Sequence, residues 1–251
     1  VLSDLIRREI RGRFIGSSAG WLWLLVTPLL LLAVYTIVFG LIFRARVPEG
    51  LAVPFIAWLA VALWPWLAFQ DAILRASESI PQHAALISKV PMRREQLPLA
   101  SGIAAFALQL FGYAVVLVVL ALFGIGISVA GIPAALLTLA VLLLLGLGLG
   151  LFAATLRVYF ADFQHLLPTL LLLWFFTTPI LYAPEMLPEQ MLAFVHLNPL
   201  AGLMSDIRGV LFGTQWIPGP GTLVMLLVAG LIFLAGLRFF RRMSPYFEDF
   251  L

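Results

Sequence analysis

Residues 133–156 read PAALLTLAVLLLLGLGLGLFAATL, twenty-four positions without a charged side chain. As a helix they cover about 36 Å at about 1.5 Å per residue, more than the ~30 Å hydrocarbon core of a bilayer. A helix facing water keeps a polar stripe, and this stretch has none. The remainder of the chain is of the same kind. Of its 251 residues, 63% are hydrophobic and 11% charged, and the mean hydropathy is +1.10. A soluble domain averages about 45–50% apolar and about 25% charged residues. The chain reads as an integral membrane protein of the all-α class.

Five further apolar runs lie around this one. Span 1 covers about 21–43, with Trp21 and Trp23 at one edge and Arg44 and Arg46 at the other. Span 2 covers about 53–70, span 3 about 99–123, span 5 about 166–182 and span 6 about 221–238, with 133–156 as span 4. The first run is too long for the core of a cleaved signal peptide and lacks a small-residue cleavage site. Residues 1–15 do not span. Leu2, Leu5, Ile6, Ile10 and Phe14 recur at helical spacing, while Arg7, Arg8, Arg11 and Arg13 crowd the remaining surface. That is the pattern of an amphipathic helix lying in the membrane interface.

Basic residues set the expected orientation. The N-terminal helix, the 71–98 loop, Arg157 and the end of span 6 together hold twelve of the fifteen, and Arg44, Arg46 and Arg208 lie on the other side. The positive-inside rule places both termini and the 71–98 loop in the cytoplasm. The segment 184–220 is then external. It is apolar but interrupted by Pro184, Pro188, Pro199, Pro218 and Pro220. Leu200, Leu203, Met204, Ile207, Val210 and Leu211 form an i, i+3, i+4, i+7 stripe. Two short helices are expected here, about 188–197 and 200–212. They dip into the outer leaflet or cover something there; the alternative is a loop lying on the surface.

Several chemistries are excluded. The one lysine, Lys89, has no glycine-rich turn before it, so there is no phosphate-binding loop. Six spans leave no length for a folded ATPase. His83, His165 and His196 fall in different loops without metal-ligand spacing, and there is no cysteine. Every charged residue can be placed in a loop or at a span end, so the buried ionisable groups of an ion-coupled pump are missing. The basic balance belongs to the membrane side rather than to nucleic acid. No cofactor is expected.

The spans do carry aromatic surface. Tyr35, Phe39 and Phe43 recur every four residues along one face of span 1, and span 5 carries Trp174, Phe175, Phe176 and, at its end, Tyr182. These are either lipid-facing belt residues or a lane for sugar rings, whose C–H faces suit aromatic faces. Gly146 and Gly150 form a small-xxx-small pair that serves packing. In the 71–98 loop, Ile80–Val90 reads as a short helix between Pro81 and Pro91, followed by Arg93, Arg94 and Glu95. It is either an ordinary basic loop or a docking element, and its length favours docking.

Arg13-Phe14-Ile15-Gly16-Ser17, followed by Gly20, Trp23 and Pro28, resembles the entry to span 1 in type-2 ABC transporter permeases that export polysaccharides. The usual pattern there is Arg-Tyr-x-Gly-Ser-x-Leu-Gly-x-x-Trp with a later proline. Ile87-Ser88-Lys89-Val90-Pro91 with Leu97-Pro98 is similar to that family's loop between spans 2 and 3. Thr178-Pro179-Ile180, and Asn198-Pro199-Leu200 with Arg208, are similar to its span-5 end and external segment. Phe14 replaces the usual Tyr, Ala19 the usual Leu, and Ala161 precedes Asp162 where Arg is common.

The resemblance implies an inner-membrane homodimer, each copy bound to a separate cytoplasmic ABC ATPase that holds ATP and Mg. It implies export of a lipid-linked glycan such as O-antigen, teichoic acid or capsule. His83, Ser88, Lys89, Arg93, Arg94 and Glu95 would then belong to the ATPase-coupling element. His196, Asn198, Pro199 and Arg208 would belong to an external gate. Tyr35, Phe39, Phe43, Trp174 and Tyr182 would line the substrate lane. Two other readings compete: a permease for a small lipid or drug, and a membrane enzyme of glycan assembly. The enzyme would need a carboxylate or histidine cluster, which the sequence lacks.

Overall fold

A computed structural model describes residues 2–12, 20–44, 47, 53–84 and 93–250, and the described residues form helices and connecting turns without a strand. Helix α1 is Leu2–Gly12, and α2 is Gly20–Tyr35 continued by a π-helical segment Thr36–Ile42. Then follow α3 Phe55–Gln82, α4 Gln96–Leu122, α5 Ile132–Tyr159 and α6 Phe163–Thr177. Two short helices, α7 Glu189–Leu197 and α8 Pro199–Leu211, lead to α9 Pro220–Met243 and a 3-10 segment Ser244–Asp249.

Among the described residues, five stretches are long and apolar enough to cross a bilayer: Leu25–Ile42, Phe55–Gln82, Gln96–Leu122, Val129–Tyr159 and Pro220–Glu248. The fifth expected span, α6, is apolar but has only 15 residues. At about 1.5 Å per residue it covers about 22 Å, short of the hydrocarbon core. Its end has a local cause. Pro179 disfavours helical backbone at the residue before it, and Thr178 is extended, with φ −92° and ψ 134°.

The polar stretch after span 2 is not a loop throughout. Helix α3 continues through it to Gln82, with Ala72, Ile73, Ala76, Ser77, Ser79 and Ile80 buried. The Ser77 and Ser79 hydroxyls donate to the carbonyls of Leu74 and Ala76, both at 2.7 Å. Ile80–Gln82 therefore finish α3 instead of opening a separate helix, and the rest of the expected 80–90 helix lies largely outside the described residues. Helix α4 starts earlier than expected, at Gln96. That puts Leu97-Pro98 in its first turn, where a missing N–H leaves no helical bond unmade.

Helix α3 is the axis of the fold: 78% of its spanning window is buried, against 11% for the α2 stretch and 17% for α9. Glycine allows the close approaches. A Cβ on Gly150 would lie 2.7 Å from the Ala76 Cβ, and one on Gly146 3.2 Å from the Phe69 ring, so both expected small residues of α5 face α3. The opposite face of α5 meets α9, where a Cβ on Gly148 would stand 2.8 Å from Phe233 Cα and one on Gly236 2.5 Å from the Gly148 carbonyl oxygen. Without water to drive association, such backbone proximity and its dispersion contacts hold membrane helices together.

Candidate functional site

The aromatic column of α2 is formed, on unusual backbone. Tyr35 is the last α-helical residue, and Phe39 lies in the π-helical turns that follow. Ring centroids are 6.2 Å apart from Tyr35 to Phe39 and 5.7 Å from Phe39 to Phe43. The wider i→i+5 turns sit where Gly40 receives the Phe55 ring; a Cβ there would be 3.1 Å from it. Phe43 is 70% exposed.

The partner of this column is Phe175, not Trp174. Tyr35 stacks on Phe175 at 5.7 Å with planes 21° apart, and Phe175 lies 5.6 Å from Trp66 of α3. Trp174 turns the other way, edge-on to Trp66 and Phe69 at 6.3 and 5.5 Å. One aromatic layer thus runs through α2, α6 and α3. Phe175 and Trp66 were not among the expected lane residues; Phe175 was one of the span-5 aromatics beside Trp174, and nothing in the sequence set Trp66 apart from the other tryptophans of span 2. Tyr182 is half-buried, and its hydroxyl donates to the Phe176 carbonyl at 3.2 Å.

At the same end of the bundle, α8 is packed inward. All six residues of its apolar stripe are buried. Asn198 caps it: its Oδ1 accepts from the Leu200 N–H at 3.0 Å and from Trp174 Nε1 at 3.1 Å. Its Nδ2 donates to the Thr177 carbonyl at 3.1 Å and the Thr178 hydroxyl at 3.0 Å. One side chain thus ties the end of α6 to the start of α8, with Pro199 supplying the first residue of the new helix. The His196 side chain lies outside the described residues.

Arg208, on α8, is 7% exposed. Its guanidinium donates to the carbonyls of Trp58 at 3.1 Å, Pro179 at 2.8 Å and Ile180 at 2.8 Å. Its Cζ stands 3.4 Å from the Trp58 ring centroid. The backbone after α6 is irregular, and this fork satisfies it; irregular backbone at membrane depth needs such a partner. Burial lowers the Arg208 pKa to about 9, which leaves a cation at neutral pH. Two positions earlier, Asp206 accepts from the Thr222 hydroxyl at 2.5 Å and lies against Gly219 at the positive N-terminal end of α9. Trp58, Asp206 and Thr222 were missed from sequence. The available signal was that an arginine in an apolar segment must find carbonyls or an aromatic face.

The opposite end is ion-paired. Arg94 bonds the Ser244 carbonyl and the Glu248 carboxylate, and Arg241 Nη2 meets Glu95 at 2.9 Å. Arg157 Nε meets Glu78 at 2.9 Å. His83 Nε2 is 3.4 Å from the Glu9 carboxylate, and the Tyr159 hydroxyl donates to the Met243 carbonyl at 3.0 Å. His83, Arg94 and Glu95 therefore join the ends of α1, α3, α4 and α9. Arg93 stands exposed beside them, and Ser88 and Lys89 lie outside the described residues. No cluster of His, Asp or Glu suited to a metal occurs among the described residues.

The model of the ABC-2 type transporter family matches residues 2–212. Two Klebsiella pneumoniae proteins, each named O-antigen export system permease protein RfbA, are 25% and 24% identical over the whole chain and 95% of their own length. A Myxococcus xanthus protein of the same name is 28% identical over 219 residues, 84% of this chain and 80% of its own.

Proposed function

The chain belongs to the ABC-2 type transporter family, a multi-pass membrane protein, and we propose that it is the membrane subunit of an ATP-driven exporter of a lipid-linked, O-antigen-like polysaccharide. In this reading it acts in the inner membrane with both termini cytoplasmic. Two copies frame the conduit, and each engages a separate cytoplasmic ATPase that supplies ATP and Mg. The relatives' names support the cargo, and the aromatic column of α2 is the observation on this chain that carries it.

A moving polymer needs a series of weak, similar contacts, since one deep well would stall it. Rings spaced about 6 Å apart offer such a series, each contact about 1 kcal/mol by analogy with aromatic pairs. Within one copy, Tyr35 already stacks on Phe175, so a sugar meets these faces only when α2 and α6 part. The close packing of the described helices around α3 supports a conduit between two copies rather than through one bundle. The segment from Pro184 to Leu211 would cover its outer mouth, with Asn198, Pro199 and Arg208 fixing the cover. His83, Arg93, Arg94 and Glu95, with Ser88 and Lys89, would meet the ATPase.

The test is reconstitution of the permease with its ATPase in liposomes loaded with lipid-linked O-polysaccharide. ATP-dependent appearance of the glycan on the far leaflet is expected. Transport of a short lipid or a drug but not of the glycan would refute the cargo.

A further inference from the structure

The ion-paired end carries a concavity that the proposed export path does not use. Helix α1 packs across the ends of α3 and α4, and between them opens a cleft of about 680 Å³. Arg7, Arg8 and Arg11 of α1 and Arg75 of α3 line it, with Asp4 and Glu9 on its wall. His83 also lines the cleft, facing Glu9, and Asp71 pairs with Arg75 at 3.3 Å. The three α1 arginines are exposed, and the Arg75 side chain is 53% exposed.

The depth of the cleft identifies its neighbour. Residues 55–74 of α3 cover about 30 Å, the thickness of the hydrocarbon core. If Phe55 lies at one boundary, Arg75 emerges at the other, at the level of the lipid phosphates. On α1, Leu2, Leu5, Ile6 and Ile10 are half-buried while the arginines stay exposed, so the helix lies flat with its cations at that same level. Guanidinium forks match phosphate oxygens in a bidentate way. The volume lies within the ~300–1,000 Å³ of small-molecule clefts and exceeds what a single phosphate fills.

We infer that this cleft binds the phosphate or diphosphate headgroup of a lipid. Resting on the export reading, the lipid is the diphosphate carrier of the glycan, captured before its sugar enters the lane; the other source of the same chemistry is a resident anionic phospholipid. The phosphate-level position argued for Arg75 and the α1 cations favours a lipid over a docked protein at this mouth, and leaves His83, farther along α3, to the ATPase-facing set.

The experiment uses the full chain in phosphatidylcholine nanodiscs, titrated with a short polyprenyl diphosphate and read by native mass spectrometry. Saturable binding is expected. Arg7→Gln with Arg8→Gln should weaken it roughly twenty-five-fold, at about fivefold per basic residue near a membrane surface. Glutamine keeps the helix. Arg75→Gln tests the opposite wall without touching α1 and should weaken binding about fivefold. Phosphatidylglycerol that fails to compete assigns the site to the carrier; equal competition assigns it to resident lipid. Both are lipid phosphates. Binding unchanged in both variants overturns the inference, as does an arginine requirement that appears only in ATPase association. Because the permease is assayed alone, this result and the failure of glycan export are separable.

Discussion

Replacing Arg208 with leucine removes the side chain that joins α8 to α3 and to the chain after α6. Three carbonyls, those of Trp58, Pro179 and Ile180, lose their donor, and the Trp58 ring loses the cation above it. Charge-assisted hydrogen bonds contribute about 1.5–3 kcal/mol each, and a desolvated cation–π contact about 2 kcal/mol. Against this gross stabilisation stands the desolvation of the guanidinium, several kcal/mol, which leucine avoids. Removing one partner of a buried charged arrangement costs about 3–5 kcal/mol net. For a chain of this size that corresponds to roughly 6–20 °C in Tm. Arg208→Lys keeps the charge but presents a point donor that cannot reach three carbonyls, so it should fall between wild type and leucine. The assay is thermal unfolding of the purified permease in detergent, followed by tryptophan fluorescence. A leucine variant melting within about 2 °C of wild type would refute the pin.

Other outcomes follow from the same geometry. Tyr35→Ala and Phe39→Ala should each slow glycan export about fivefold, the equivalent of about 1 kcal/mol per ring, with ATPase assembly intact and Tyr35→Phe mild; wild-type export from both alanine variants would remove the lane. Lys89→Glu with Arg93→Glu should weaken ATPase association in pull-down without affecting membrane insertion. Arg94→Glu should additionally loosen the 244–249 segment that Arg94 holds, seen as faster proteolysis there. A cysteine at Gln190 should react with an impermeant thiol reagent in intact cells, and the absence of native cysteine keeps the readout clean; labelling only after lysis would reverse the topology.

The helices were largely legible because hydropathy and the bilayer's thickness act residue by residue. Both short helices of the 184–220 segment lie within two residues of their expected bounds at each end, since prolines and a strict apolar stripe fix them. The end of α3 was misread because a polar composition suggested a loop. There the serines bond back to the preceding turn, and Ala72, Ala76 and Ile80 pack inward. Pairings were less legible. Arg208 meets a carbonyl 150 positions away, and no local pattern encodes that. The four-residue aromatic period was visible, but whether Phe175 or Trp174 meets Tyr35 depends on the rotation of α6. Asn198 fixes that rotation from 24 positions downstream of Trp174.

Asn198 and Arg208 also make one mechanical unit of the α8 segment and the aromatic layer. Trp174 Nε1 is held by Asn198, and the adjacent Phe175 stacks on Tyr35. The carbonyls of Pro179 and Ile180, at the end of the same strand of backbone, are held by Arg208. Displacing α8 outward with these bonds intact therefore draws the end of α6 with it and separates Phe175 from Tyr35. Displacing α8 alone breaks four hydrogen bonds from Arg208 and Asn198 to the end of α6, together with the Trp174 bond, in surroundings with little water to replace them. Both movements break the Arg208 bond to the Trp58 carbonyl and its contact with the Trp58 ring; the first otherwise retains its polar partners and gives up the four ring contacts that Phe175 and Trp174 make with Tyr35, Trp66 and Phe69, each about 1 kcal/mol. The second leaves several carbonyls unpaired at about 1–3 kcal/mol each. On these magnitudes α8 and the end of α6 move together, which in the proposed export path would open the outer cover and the aromatic lane in one step.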